Sequence, residues 1–414
     1  MSYLILCLCP LSFALSFVLT FVVRSLSLRI GFVDKPGGRK IHSNPKPLGG
    51  GMAIFWGITL PILVVLGIVH FSTPPHWVVE LLSGRATPGA NSSPQSLATA
   101  YWDGIRQQTP MALGILAAAL ILHLLGLADD RRAMGPWSKL VVQLTVISIL
   151  VIGLDLRSMT FLDHVLPFGR WPSIVVTVLW IACITNAFNF LDNMDGLSAG
   201  VAAVCTCAFL ATALGISQWF VAAALALLLG SLLGFLCFNF PPASIFMGDA
   251  GSMVIGLFLG VLTVRTTYIS PDIQAHFASG WYALFAPLIV MAVPLYDLLV
   301  VSALRIKAGK SPFVGDANHL SHRLVARGMS RRTAVLCIYL ITAATALAAI
   351  VLTQVRTTHA AILIFAQTIL ILGVVALLEQ HPIARPNSAA AHPTAPDSSP
   401  ANSAPPGSTI AGHR

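Results

Sequence analysis

The chain has 414 residues, of which 56% are hydrophobic and only 9% charged. A soluble globular domain carries roughly a quarter charged residues, so an ordinary water-soluble fold is excluded. The formal charge of +9 is unevenly spread and reads mainly as a membrane-topology signal, with attraction to anionic lipids and substrates as a second use and no nucleic-acid partner expected.

Eleven apolar runs of 17 to 22 residues begin near Tyr3, Gly49, Met111, Leu140, Ser173, Leu197, Trp219, Ser252, Trp281, Ala334 and Ala360. Each is long enough to cross about 30 Å of hydrocarbon as a helix, and helices satisfy their own backbone in lipid. The expected fold class is therefore an all-α, polytopic transmembrane helical bundle of about eleven helices. The first run has no basic residue before it but Arg24 and Arg29 after it, which reads as an uncleaved helix with its N-terminus outside. Alternation then puts segments 24–48, 129–139, 189–196, 239–251 and 304–333 and the C-terminus on one side. Most Lys and Arg lie in these segments, so this side is expected to be cytoplasmic. Residues 1–380 are read as one membrane domain, with an external loop at 72–109 whose stretch Trp77 to Leu82 could lie on the membrane surface. Residues 381–414 are poor in large apolar side chains and are read as a disordered cytoplasmic tail.

The seven cysteines all lie in apolar runs without Cys-x-x-Cys spacing, which supports neither a disulfide framework nor a zinc site. Thirteen of the fifteen acidic residues are Asp. Asp129 and Asp130 end the third run, Asp192 and Asp195 follow the fifth, Asp249 follows the seventh, and Asp297 is near the end of the ninth. Six carboxylates are thus expected at one depth, where they are costly unless solvated, paired or bound to a cation. Asp129 and Asp130 could simply pair with Arg131 and Arg132. The segment from Asn186 to Gly196 weakens that reading: Asn186, Asn189 and Asn193, with Asp192 and Asp195, form what helical spacing makes a single polar stripe. Asp249 sits between two glycines beyond a double proline, a place where a backbone can approach a ligand and one carboxylate can hold magnesium. Two basic loops face the cluster. One carries Lys35, Arg39, Lys40 and His42, the other His319, His322 and Arg323, and both suit phosphate or sugar contacts. His123, His70 and His164 are read as structural or surface residues.

At these residues the chain resembles the polyprenyl-phosphate N-acetylhexosamine-1-phosphate transferases, over roughly residues 20 to 335. The motifs that carry the likeness occur in order: Asp34 to His42 leading to Pro47 to Gly51; Leu127 to Asp130; Asn186 to Gly196; Phe246 to Ser252; and Ser311 to Phe313 with His319 to Leu324. The resemblance implies transfer of a sugar-1-phosphate from a UDP-N-acetylhexosamine to undecaprenyl phosphate, giving a polyprenyl-diphosphate sugar and UMP at the cytoplasmic face of the inner membrane. It implies a magnesium ion on Asp249, with manganese as a substitute, and catalytic candidates Asp129, Asp130, Asp192 and Asp195. Lys35, Arg39, Lys40, His42, Lys139, Asn186, Asn189, His319, His322 and Arg323 become substrate-binding candidates, with Lys139 beside the pyrophosphate. Where many members read His-x-His-His, Ser321 stands at the middle histidine. That favours the branch priming O-antigen, teichoic-acid or exopolysaccharide synthesis over the muramoyl-pentapeptide branch.

Phosphoryl transfer asks for positioning and charge neutralisation. Direct attack with Asp130 assisting is the favoured route; Asp129 or Asp130 could instead hold the metal or form a phospho-aspartyl intermediate. A secondary transporter is the rival from another class, but it calls for midplane charges and internal repeats. The expected partners are the lipid phosphate, the UDP-sugar, the membrane and, as an open option, a second copy of the chain.

Overall fold

A computed structural model describes residues 2–34, 45–83, 93–266, 284–312, 318–355 and 357–380. The expected tail, 381–414, lies outside them, as do Lys35, Arg39, Lys40 and His42. The chain forms α1 (Ser2–Ile30), a short antiparallel pair β1 (Val33–Asp34) and β2 (Lys46–Pro47), α2 (Gly50–Phe71), α3 (His76–Ser83), α4 (Pro94–Arg131) and α5 (Pro136–Gly153). There follow α6 (Leu162–Val165), α7 (Trp171–Leu191), α8 (Leu197–Gly215), α9 (Trp219–Asn239), α10 (Asp249–Arg265), α11 (Ala286–Val290) and α12 (Ala292–Lys307). The last three are α13 (Leu320–Ala326), α14 (Arg331–Leu352) and α15 (Thr358–Gln380).

Among the described residues, nine helices are long and apolar enough to cross a membrane. The protein is an all-α, multi-pass membrane protein. Two of the eleven expected runs fall short of that length for different reasons. The run from Ser252 becomes α10, only 17 residues long. The run from Trp281 begins outside the described residues and is divided at Met291 into α11 and α12. The third run also differs from expectation. It is not a helix from Met111 but the end of α4, which has 38 residues, about 57 Å at 1.5 Å per residue. Ser93 caps α4 by accepting the Ser96 amide, with Pro94 in the first turn, an efficient start signal placed well before the apolar stretch. Much of the expected external loop 72–109 is therefore helix. Trp102 Nε1 and Arg106 Nε hold that extension to the end of α2 by donating to Ser72 O and Val69 O, at 3.0 and 3.1 Å.

The architecture centres on α10. From Ala250 to Thr263 every residue is buried, as expected of a helix surrounded by others, and it packs on α2, α4 and α7. Small residues permit the approach. A Cβ on Gly126 of α4 would lie 2.3 Å from the Ala250 amide, one on Gly51 of α2 would lie 2.3 Å from that of Gly251, and one on Gly256 would lie 2.4 Å from Thr185 Cα of α7. The motif around Gly50 is fixed to the segment before α10 by backbone bonds, Gly50 N to Phe246 O and Gly51 N to Met247 O, both 3.0 Å. On the far side, α1 crosses α9 and α2 with buried serines as glue: Ser12 Oγ donates to Leu227 O at 2.6 Å, and Ser16 Oγ to Ser231 O at 2.8 Å. Cys205 is buried and Cys207 exposed, and all seven cysteines are free.

Candidate active site

The N-terminus of α10 meets the C-terminal ends of α4 and α7 and the first turn of α5, which brings together residues far apart in sequence. Gly248 precedes α10 with φ 75° and ψ 173°, a region open essentially only to glycine. That turn aims the first amides of α10 at Asp130. Asp249 N donates to Asp130 Oδ1 at 2.8 Å, and Ala250 N to Oδ2 at 3.3 Å. Asp130 thus caps α10 from a different helix, where a negative charge complements the helix dipole.

The Asp249 side chain projects into the polar end of the bundle. Asn189 Nδ2 donates to its Oδ1 at 3.0 Å and to Ser252 Oγ at 2.9 Å. Lys139 binds its Oδ2 and also reaches Asp129 Oδ2 at 3.2 Å. Asp129 accepts the Met134 amide at 2.6 Å, which folds the α4–α5 connection. Asp192, the residue after α7, completes the group. Burial first, then the charges of Asp249, Asp130 and Asp195, push its carboxyl well above the usual carboxylate range, with the Gly248 amide working in the opposite direction. Asp129, Asp130, Asp192, Asp249, Lys139 and Asn189 are therefore brought together as one cluster.

Other candidates are placed differently. Asp195 turns towards the segment before α10 and accepts the Ala243 amide at 2.9 Å. The single stripe expected of Asn186 to Asp195 does not persist, because α7 stops at Leu191 and the chain turns through Gly196 at φ 73°. Asn186 lies one turn deeper, donating to Gln143 Oε1 at 3.0 Å and to Ala182 O at 2.8 Å. Gln143 is buried and one helical turn after Lys139, so a lone amide in an apolar run was the signal that could have revealed it. Asp297 does not join the cluster either. It accepts the Leu320 amide at 2.7 Å and sits 2.8 Å from His319 Nδ1. The other His319 nitrogen is 3.4 Å from Arg305 Nη2, and Arg305 lies over Phe190 at 5.0 Å. His319 is only 5% exposed, so it anchors α13 to α12.

His322 is half-buried and bonds the Asn193 backbone carbonyl; burial, then His319 and Arg331, lower its pKa. Ser321 Oγ donates to Asn193 Oδ1 at 2.5 Å, so the serine at the departure from the histidine motif ties α13 to the residue after Asp192. Arg323 is paired with Glu379 at 2.9 Å. His123 is buried, stacked on Phe55 at 4.7 Å between ring centroids, with Nδ1 3.0 Å from Ala250 O, in keeping with a structural role.

The cluster suits a hard divalent cation. Two of its four carboxylates, Asp129 and Asp249, share one ammonium, and Asp130 and Asp192 are met by backbone amides instead. Among the described residues no three His, Cys, Asp or Glu side chains form a ready-made metal cage. Magnesium does not require one, since it takes one or two carboxylates and fills its octahedron with water and phosphate oxygens.

Fold and cluster together define a polytopic helical membrane protein with a polar, carboxylate-rich site at the ends of its helices. Residues 112–267 match the family model of glycosyl transferase family 4. Among curated relatives, the probable undecaprenyl-phosphate N-acetylglucosaminyl 1-phosphate transferase of Bacillus subtilis is 31% identical over 81% of this chain and 81% of its own. The decaprenyl-phosphate N-acetylglucosaminephosphotransferase of Mycolicibacterium smegmatis is 33% identical over 77% of this chain and 74% of its own. The undecaprenyl-phosphate alpha-N-acetylglucosaminyl 1-phosphate transferase of Escherichia coli K12 is 27% identical over 77% and 76%. The chain belongs to glycosyl transferase family 4 and is a membrane transferase.

Proposed function

We propose that the protein transfers N-acetylglucosamine-1-phosphate from UDP-N-acetylglucosamine to undecaprenyl phosphate, releasing UMP and initiating a cell-envelope polysaccharide such as O-antigen, teichoic acid or exopolysaccharide. The observation that carries this reading is the Lys139 ammonium shared by Asp249 and Asp129 at the helix ends, a charge pattern suited to a divalent cation and a pyrophosphate. The activities of the relatives supply the substrate class. The abundance of Lys and Arg on this side argues that it faces the cytoplasm, in the inner membrane of a bacterium.

An oxygen of the lipid phosphate attacks the β-phosphorus of the UDP-sugar. The bond from that phosphorus to the bridging oxygen breaks, and UMP departs with the electron pair. A phosphate monoester with a second pKa near about 6 is largely an oxyanion at neutral pH, so no strong base is required. Lys139 would neutralise the pyrophosphate. Asp130, with both oxygens on α10 amides, sets the position of Asp249. Asn189 orients the Asp249 carboxylate, and Asp129 holds the Lys139 connection. Asp249, with Asp192 beside it, would hold magnesium, which when bound supplies charge neutralisation to the phosphates.

The test is a panel of UDP-sugars given to the purified protein with undecaprenyl phosphate, with and without EDTA. UMP release with UDP-N-acetylglucosamine that stops in EDTA supports the reading. UMP release only with the UDP-muramoyl-pentapeptide would move the protein to the other branch.

A further inference from the structure

The chain has only two glutamates, Glu80 and Glu379. Glu379 closes the last candidate span, Thr358–Glu379, and could be a plain anchoring charge at a helix end. Its surroundings argue otherwise. Its side chain is 8% exposed, and Oε1 accepts Arg323 Nη2 at 2.9 Å while Oε2 accepts the Tyr296 hydroxyl at 3.2 Å. Both carboxylate oxygens are thus engaged by different elements, α13 and α12. Arg323 in turn reaches back to the Asn318 carbonyl, closing the turn that leads into α13. The Arg323 side chain is 15% exposed, and a largely buried arginine deprived of its counter-charge is costly, so Glu379 decides whether Arg323 can hold that turn.

From α13 the contacts continue to the site. Ser321 and His322 both bond Asn193, Asn193 follows Asp192, and Asp192 takes the Gly248 amide next to Asp249. Resting on the proposed transferase reading, we propose that Glu379 is a positioning residue: through Arg323 it holds α13, with the substrate-binding candidate His322, against the Asn193 turn that carries Asp192. The last helix, which lies outside the matched family segment 112–267, becomes part of the enzyme's working apparatus.

Two measurements on the full-length protein in detergent test this, one independent of the reaction. In hydrogen exchange, Glu379→Gln is expected to speed exchange across 318–326 while leaving 250–263 at the wild-type rate. In steady-state kinetics the same variant is expected to raise KM for UDP-N-acetylglucosamine about tenfold, the scale of one charge-assisted hydrogen bond, with kcat changed less than about threefold. Glu379→Asp should recover part of both effects. Wild-type exchange at 318–326 in Glu379→Gln would overturn the inference, and so would faster exchange there with an unchanged KM. A wild-type protein without transfer activity would refute the functional reading instead, while the exchange data would still decide whether Glu379 holds α13.

Discussion

The carboxylate of Asp130, at the end of α4, caps the helix that begins with Asp249, accepting the amides of Asp249 and Ala250. One of the paired aspartates therefore acts on the other side of the site through the backbone. Replacing an N-cap carboxylate by alanine costs about 1 kcal/mol. Asp130→Ala is expected to lower thermal stability by that order and to reduce activity further by displacing Asp249, whereas Asp130→Asn, which keeps an acceptor oxygen, should retain most of the stability. Parallel unfolding curves and initial rates check the split.

Gly248→Ala tests the same contact from the opposite direction. An added Cβ would lie 2.4 Å from Asp130 Oδ2, at a backbone conformation with φ 75° and ψ 173°. Strain there costs about 1–3 kcal/mol, and if that cost falls on the placement of Asp249, kcat/KM should fall at least about fivefold. Near-normal activity would show that the cap is dispensable.

Lys139 is the cation that Asp249 and Asp129 share. Removing the ammonium leaves two carboxylates, 16% and 25% exposed, without their counter-charge, and partial exposure keeps the cost below that of a fully buried pair. Lys139→Met is expected to cut kcat/KM by two orders of magnitude or more, about 2.7 kcal/mol at 1.36 kcal/mol per tenfold, with Lys139→Arg in between. A Lys139→Met protein of wild-type activity would remove Lys139 from the site.

Asp195 and Asp192 should separate. Asp195 serves the Ala243 amide, and its asparagine variant retains an acceptor, so activity within about threefold of wild type is expected. Asp192→Asn, inside the cluster, is expected to lose far more. Equal losses in assays of both variants would contradict this division.

The lowered pKa of His322 gives a pH prediction. The folded state binds its proton less readily than the unfolded state, whose value is near 6.5. Its contribution to stability is present above that value and declines as the pH falls below it. Protection of 318–326 from hydrogen exchange should weaken in acid, and His322→Gln should flatten that acid limb.

Much of this arrangement was legible from the residues. Apolar runs gave the helices, and carboxylates at their ends marked Asp129, Asp130, Asp192 and Asp249, because charge at the edge of hydrocarbon stands out against so apolar a background. Helical spacing misled where the helix had already ended: Asp192 and Asp195 share a face only if α7 continues, and it stops at Leu191. The α4 extension was hidden because its first residues are polar and resemble a loop. The Arg323–Glu379 pair spans 56 residues, and nothing local at either position announces the other.

The most direct test follows the phosphorus. UDP-N-acetylglucosamine labelled with ³²P in the β-phosphate is incubated with undecaprenyl phosphate, magnesium and the purified protein, beside Asp249→Ala. The account predicts that the label enters the lipid phase together with the sugar, that the nucleotide released is unlabelled UMP, and that the variant gives neither. Label that stays in water as UDP while the sugar becomes lipid-linked would mean that the bond cleaved lies between sugar and phosphate, and would contradict a sugar-1-phosphate transferase.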